Sequence, residues 1–314
     1  MKIVYHESYN IDIGLLKFIH PFDGMKFGKV AAQIQREKLA EIVHPTASIP
    51  TSAINVFLDA LMRRLMLHKR PILEALEAPY IPLLPYSWLD KRILQPMRWG
   101  VAGTLAAAKS ALIGADAWNL AGGYHHANPH SMEGFCIYND IGISYQQLIA
   151  SGELTADDKI LIIDIDAHHG NGNARTFIDN TNVTLLDVYN ADIYPNTPVS
   201  RQRVDIAVPL PSGTGGELYL NKLSAALKQL DSGYKLAFVV AGTDVLATDP
   251  LGGLKLDIAE VAQSHKLVYQ RLKALNIPTV FLGGGGYGKD SAAAIVAGIK
   301  AVTSITFVDP EVAS

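Results

Sequence analysis

The stretch LIIDIDAHHGNG, residues 161–172, places acidic and imidazole side chains at every second position: Asp164, Asp166 and His168. On an extended chain this spacing sets all three on one side, with Ile163, Ile165 and Ala167 on the other. Ionised carboxylates beside an apolar run are unfavourable unless something compensates them. A divalent cation would do so. Asp166, His168 and Asp244 would supply three ligands and leave a position for water, the pattern of a catalytic rather than a structural site. Two carboxylates with one imidazole is a less usual zinc set, which keeps Fe2+, Mn2+ and Co2+ open beside Zn2+. The plainer alternative is a salt-bridged strand end, and the number of polar residues gathered at neighbouring strand ends argues against it.

GGYHHA brings a second chemistry through His125 and His126. Adjacent strand residues point opposite ways, but Gly122 and Gly123 let the chain leave strand geometry, so both rings can face one pocket. One ring would act as general base; the other would stabilise charge when oriented by a carboxylate such as Asp164. GGGGYG (283–288) predicts close backbone approach at a pocket floor, with Tyr287 at its edge donating to a developing oxyanion. Its glycines also fit GxGxxG, but too little chain follows for the remaining strands of a dinucleotide fold. His20, His44, His68, His130 and His265 are expected at the surface or as satisfied core residues. Cys136 is expected as a small apolar filler, and Trp88, Trp99 and Trp118 as core.

Apolar, β-branched runs position these groups: 2–5, 117–122, 159–166, 236–242 and 278–284, with 182–189 a sixth strand and 41–43 a possible further one. Helical patterns lie between them at 28–40, 99–113, 141–149, 218–230, 258–275 and 290–302. Alternating strands and helices predict one α/β domain spanning residues 1–314, with a parallel sheet covered on both faces. The ligand-bearing segments then fall outside the carboxyl ends of the strands. Residues 44–98 are the exception: a helix around 52–67, then prolines at 71, 79, 82, 85 and 96, predict an irregular surface excursion.

The 314 residues carry 49% hydrophobic side chains and a net charge of −3, which excludes a binder that relies on phosphate contacts with nucleic acid. Small molecules, acyl groups and exposed peptides remain. A single cysteine rules out an internal disulfide, the N-terminal MKIVYHESYNID holds no apolar run of signal-peptide length, and no run reaches membrane-span length. A cytoplasmic protein is expected, or a nuclear one in a eukaryote.

Taken in order, NLAGGYHHA, GFCIYND, LIIDIDAHHGNGN, AGTDVLATDPLGGL and LGGGGY resemble the histone deacetylase family, and the resemblance runs from about residue 3 to 302. YNIDIGLLKFIHPFDGMKFGKV and LDVYNADIYP are most similar to its class IV branch. The resemblance implies an open, mainly parallel eight-stranded sheet with helices on both faces, as in arginase, and hydrolysis of an acyl-lysine or related acylamine. It implies Asp166, His168 and Asp244 as zinc ligands, His125 and His126 as the catalytic pair, and Tyr287 as the carbonyl-polarising group. Gly134, Phe135, Tyr194 and Gly285 correspond to the substrate tunnel. A structural K+ or Na+ would sit near Asp164, Asp166 and His168, with Asp187 as an extra ligand. The class IV likeness raises long-chain acyl groups beside acetyl.

Two departures stand out. Asn171 replaces an aspartate that some classes place behind the second histidine. SAINVFLDAL (52–61) stands where a His-Ser-x-x-Tyr-Leu element is usual, so the resemblance assigns no rim carboxylate to grip the substrate backbone. Two other functions fit parts of the pattern. A binuclear manganese ureohydrolase would use GTDVLATDP as a carboxylate cluster, although DAHHGN lacks the further aspartate for a second metal. A non-catalytic acyl-lysine-binding module would keep the fold without the chemistry.

Overall fold

The computed structural model describes residues 1–12 and 23–305. His20 and most of the apolar stretch behind the class IV likeness lie outside them. Eight strands form one sheet: β1 (Lys2–Val4), β2 (Ile42–Val43), β3 (Ala117–Asn119), β4 (Ile160–Asp164), β5 (Val183–Asn190), β6 (Ile206–Leu210), β7 (Leu236–Val240) and β8 (Thr279–Leu282). Their order is β2-β1-β3-β8-β7-β4-β5-β6, and every pairing is parallel. Strand β6 has no counterpart among the runs read from the sequence. Pro209 demotes such a segment from strand status, yet β6 is an edge strand, where a missing N–H leaves no gap in the ladder.

Alternation along the strands divides the interior in two. Leu161, Ile163, Val239 and Phe281 face a cluster shared with α1 (Lys26–Glu37), α10 (Gly216–Leu227), α11 (Ile258–Ala274) and α12 (Ser291–Thr303). Ile160, Ile162, Phe238 and Val280 face the other side, against α6 (Gln95–Leu112), α7 (Asp140–Ala150) and α8 (Asn171–Thr176). Period two thus gives the central strands β4, β7 and β8 two apolar faces. Trp118 is fully buried, but Trp88 and Trp99 are only half-buried, Trp99 stacking on His6 at 3.8 Å. His265 is buried as a core residue, yet neither ring nitrogen finds a partner. Burial lowers its pKa to about 3, so it stays neutral among Trp118, Phe281 and Gly298.

The proline-rich excursion has its own interior. The single helix expected over 52–67 is two, α2 (Thr51–Phe57) and α3 (Ala60–Leu65), because Asp59 takes the N-cap of the second and accepts from Met62 N. Next come α4 (Lys69–Ala75) and α5 (Tyr86–Leu89), which passes through a π-helical turn over Asp90–Leu94 into α6. Leu73, Leu76, Leu89, Ile93 and Met97 pack with Ile137, Tyr138 and Ile143 into a third cluster beside the sheet.

Candidate active site

Four adjacent central strands, β3, β8, β7 and β4, deliver the polar groups from their carboxyl ends. Strand β4 stops at Asp164, two residues short of the run read from the sequence, so the expected one-sided stripe is not what forms. The Asp164 carboxylate turns to His125, while Asp166 and His168 turn from irregular chain toward Asp244. The ligand atoms of Asp166, His168 and Asp244 all lie within 4.8 Å of one another. Backbone N–H groups hold both carboxylates: Gly285 N reaches Asp166 Oδ2 at 2.6 Å, and Ala167 N reaches Asp244 Oδ1 at 2.9 Å. Burial pushes Asp244 up to about 7, and repulsion from Asp166 adds to it. Burial alone would lower His168, but the two carboxylates outweigh it and raise the imidazole to about 10. Two acids that repel each other, beside an imidazole that both attract, suit a divalent cation. Among the described residues this is the one such cluster.

The histidine pair stands beside it. Gly122 (φ +81°) and Gly123 (φ +73°) turn the chain out of β3, and a Cβ on Gly123 would meet Gly284 N at 2.6 Å. The buried Asp140 clamps this turn, accepting from Gly123 N (3.0 Å), Tyr124 N (2.8 Å) and Thr104 Oγ1 (2.6 Å). Both rings consequently face one site, their Nε2 atoms 3.1 Å apart. His125 Nδ1 bonds Asp164 at 2.8 Å, and His126 Nδ1 bonds Asn171 Oδ1 at 2.7 Å. Burial disfavours charge on both, but Asp164 and Asp166 raise His125 to about 9. Burial and the neighbouring His125 instead hold His126 well below its ordinary value. The two rings are therefore pushed apart, His125 toward the charged form and His126 toward the neutral one.

A cavity of about 150 Å³ opens in front of the pair. Its floor is Gly122, Gly123, Gly284, Gly285 and the two histidines; Gly134, Phe135 and Tyr287 line its side. Phe135 and Tyr287 stand 5.5 Å apart, ring to ring. Burial raises the Tyr287 hydroxyl well above its ordinary pKa, leaving it a donor. Tyr194 is not part of that lining. Its ring stands 5.3 Å from His126, and its hydroxyl donates to Glu133 Oε2 at 2.8 Å. Cys136 lines the cavity, but burial pushes its thiol up and away from nucleophilic use. Phe27, Leu73, Leu76, Trp88, Ile93 and Met97 complete an apolar wall, and the exposed Glu77 is an acid at the rim.

Several supporting residues went unassigned in the sequence. Asp249 accepts from Tyr287 N (2.7 Å) and Gly288 N (2.9 Å), and so orients the tyrosine turn. Lys26, lowered to about 8 by burial, donates to Gly286 O at 3.1 Å beneath the same turn. Asp187, by contrast, is the residue that the resemblance offers as an extra cation ligand; it pairs in register with Asp164 and accepts from His169 Nδ1 (2.6 Å) and Gly170 N (3.0 Å). Its other oxygen is buried without a partner at a void of about 10 Å³ that Asp164 also lines. An orphaned carboxylate oxygen in a void of that size fits a small cation. The Asp166 and His168 side chains point away from it to the other cluster.

Residues 58–303 match the histone deacetylase domain family. Histone deacetylase 2 of Arabidopsis thaliana is 32% identical over 305 residues, covering 96% of this chain and 78% of that protein. An uncharacterized protein of Picosynechococcus sp. is 34% identical over 209 residues, 66% of this chain and 67% of its own. The crystal structure of an HDAC homolog complexed with SAHA superposes with a TM-score of 0.72 over 96% of this chain and 83% of that one, at 19% identity. The fold is the same, an eight-stranded parallel sheet between helices.

Proposed function

The chain belongs to the histone deacetylase family, and from that premise we propose a metal-dependent amidohydrolase that removes acyl groups from lysine side chains or related acylamines. The observation that carries this reading is the Asp166–His168–Asp244 cluster standing beside a split-charge histidine pair at the floor of an apolar cavity. A divalent ion, Zn2+ or Fe2+ foremost, would be held by those three side chains and would supply Lewis acidity to the acyl carbonyl and to water. A K+ or Na+ between Asp164 and Asp187 would be structural.

The chain's own groups do the rest. Neutral His126 takes the proton of the attacking water at Nε2 and later passes one to the amine as the C–N bond breaks. His125, fixed by Asp164, supports the charge that develops beside it. Tyr287 donates to the oxyanion from the cavity side. Gly134, Phe135 and Gly285 would confine the acyl-lysine stem, with Tyr194 flanking His126 and Glu77 at the rim within reach of the substrate backbone.

An acetyl group needs only the glycine floor. The apolar wall contributed by the excursion favours longer acyl chains, since each methylene transferred from water gains about 0.8 kcal/mol. Steady-state rates on one lysine peptide carrying acetyl, octanoyl or myristoyl groups test this, with metal content measured on the same samples. Octanoyl or myristoyl is expected to exceed acetyl in kcat/KM. Acetyl preferred over both would defeat the long-chain reading, and no hydrolysis by metal-loaded protein that binds the peptide would defeat the hydrolase.

A further inference from the structure

We infer that Glu133 is a positioning residue that fixes the proton on His126 through Asn171, completing a directed hydrogen-bond chain from one carboxylate to another. The inference rests on His126 acting as the base. Its ground is the order of donors and acceptors. An ionised carboxylate only accepts. Glu133 Oε1 accepts from Asn171 Nδ2 at 3.0 Å and from the Arg175 guanidinium at 3.1 Å. The Asn171 amide must then present Oδ1 to His126, 2.7 Å away, and Oδ1 cannot donate. His126 therefore carries its proton on Nδ1, leaving the Nε2 lone pair turned toward His125 and the cavity floor. From the other end, Asp164 accepts from His125 Nδ1. The chain reads Asp164, His125, His126, Asn171, Glu133, with one donor and one acceptor at every link.

His125 favours this tautomer from the Nε2 side, but Asn171 alone would not fix it from the Nδ1 side. An amide flipped end for end would offer its NH2 to His126 and select the opposite tautomer, with Nε2 protonated and useless as a base. Glu133 removes that freedom. Its other oxygen accepts from the Tyr194 hydroxyl at 2.8 Å, so the same carboxylate ties the ring flanking His126 to the group behind it. The residue types explain how a neutral asparagine can serve where some family branches place an acid.

The test is a set of variants measured for kcat, KM and bound metal. Glu133→Gln is expected to lower kcat about tenfold or more, the range typical of an outer partner to a catalytic group, with KM and metal content little changed. Asn171→Asp alone should also lose activity, because it sets a second carboxylate against Glu133. The double variant Asn171→Asp with Glu133→Gln should recover, since an aspartate accepts from Nδ1–H without a lock. Nitrogen-15 histidine spectra of metal-free protein give an independent readout: one Nδ1–H tautomer for His126 in the parent, and a mixture in Glu133→Gln. A double variant no better than either single, or an unchanged tautomer in Glu133→Gln, overturns the inference. His126→Ala separates the two levels: if it keeps near-parental kcat, the base assignment itself fails, whereas an inactive His126→Ala beside a fully active Glu133→Gln removes only the lock.

Discussion

The glycine-rich floor of the cavity and the excursion-built wall opposite it are made by opposite means. At the floor nearly every side chain is polar and partnered: His125, His126, Asp166 and Asp244 all sit within short hydrogen bonds. The part of the wall that the excursion builds is Leu73, Leu76, Trp88, Ile93 and Met97, apolar side chains packed into the third cluster. The floor hangs from four neighbouring strands of one sheet, while the wall comes from short helices separated by prolines. Chemistry needs groups held in fixed directions, and hydrogen bonds from strand ends supply direction. The chain-length selection proposed above would need only volume and apolarity, and packed helices supply those.

The difference can be broken from the floor first. Asp166→Ala should lose on the order of 10³ or more in kcat/KM together with its divalent ion; stoichiometric metal with activity within tenfold of the parent would remove Asp166 from the ligand set. Tyr287→Phe should lower kcat by roughly 10²–10³ with KM little changed, and near-parental turnover would free Tyr287 of its role. The wall is the next target. Met97→Trp should fill the far end and exclude about three methylenes, worth roughly fifty-fold against a long acyl chain and little against acetyl. Equal losses on acetyl and myristoyl peptides would mean that the wall does not select chain length.

The smallest expected effect concerns an imidazole outside both regions. His265 stays neutral when folded, with its pKa near 3 against an ordinary 6.5. The unfolded chain therefore binds a proton that the folded chain refuses, and stability declines as pH drops from 6.5 toward 3. His265→Leu should make the acid limb of the stability curve shallower by up to about 1.4 kcal/mol per pH unit, without changing activity at neutral pH. Denaturant titrations at pH 4.5 and 7 check this, and an unchanged slope would point to carboxylates elsewhere.

The floor was largely legible in the sequence because its signals are local: glycines that free the backbone, then His125 and His126, and a period-two run into Asp164, Asp166 and His168. The structure brings these together with Asp244 and Tyr287. The wall was not legible, since nothing local says that Leu73 and Met97 turn inward on the same space. Asp140, Asp249 and Glu133 escaped for another reason. Each acts on backbone N–H groups or amides far off in the chain, and no spacing announces such a partner. Strand β6 was hidden by Pro209, and the split between α2 and α3 by an aspartate that reads equally well inside a helix or at its cap.

Strand β3, which leads to the histidine pair, lies in the sheet against β8, made about half the chain later. Gly285, whose amide caps Asp166, follows β8 directly. In the finished sheet β8 lies between β3 and β7, both of which precede it in the chain. The cavity floor is therefore complete only once the chain that follows β8, Gly284 to Tyr287, has joined the groups carried by β3, β4 and β7.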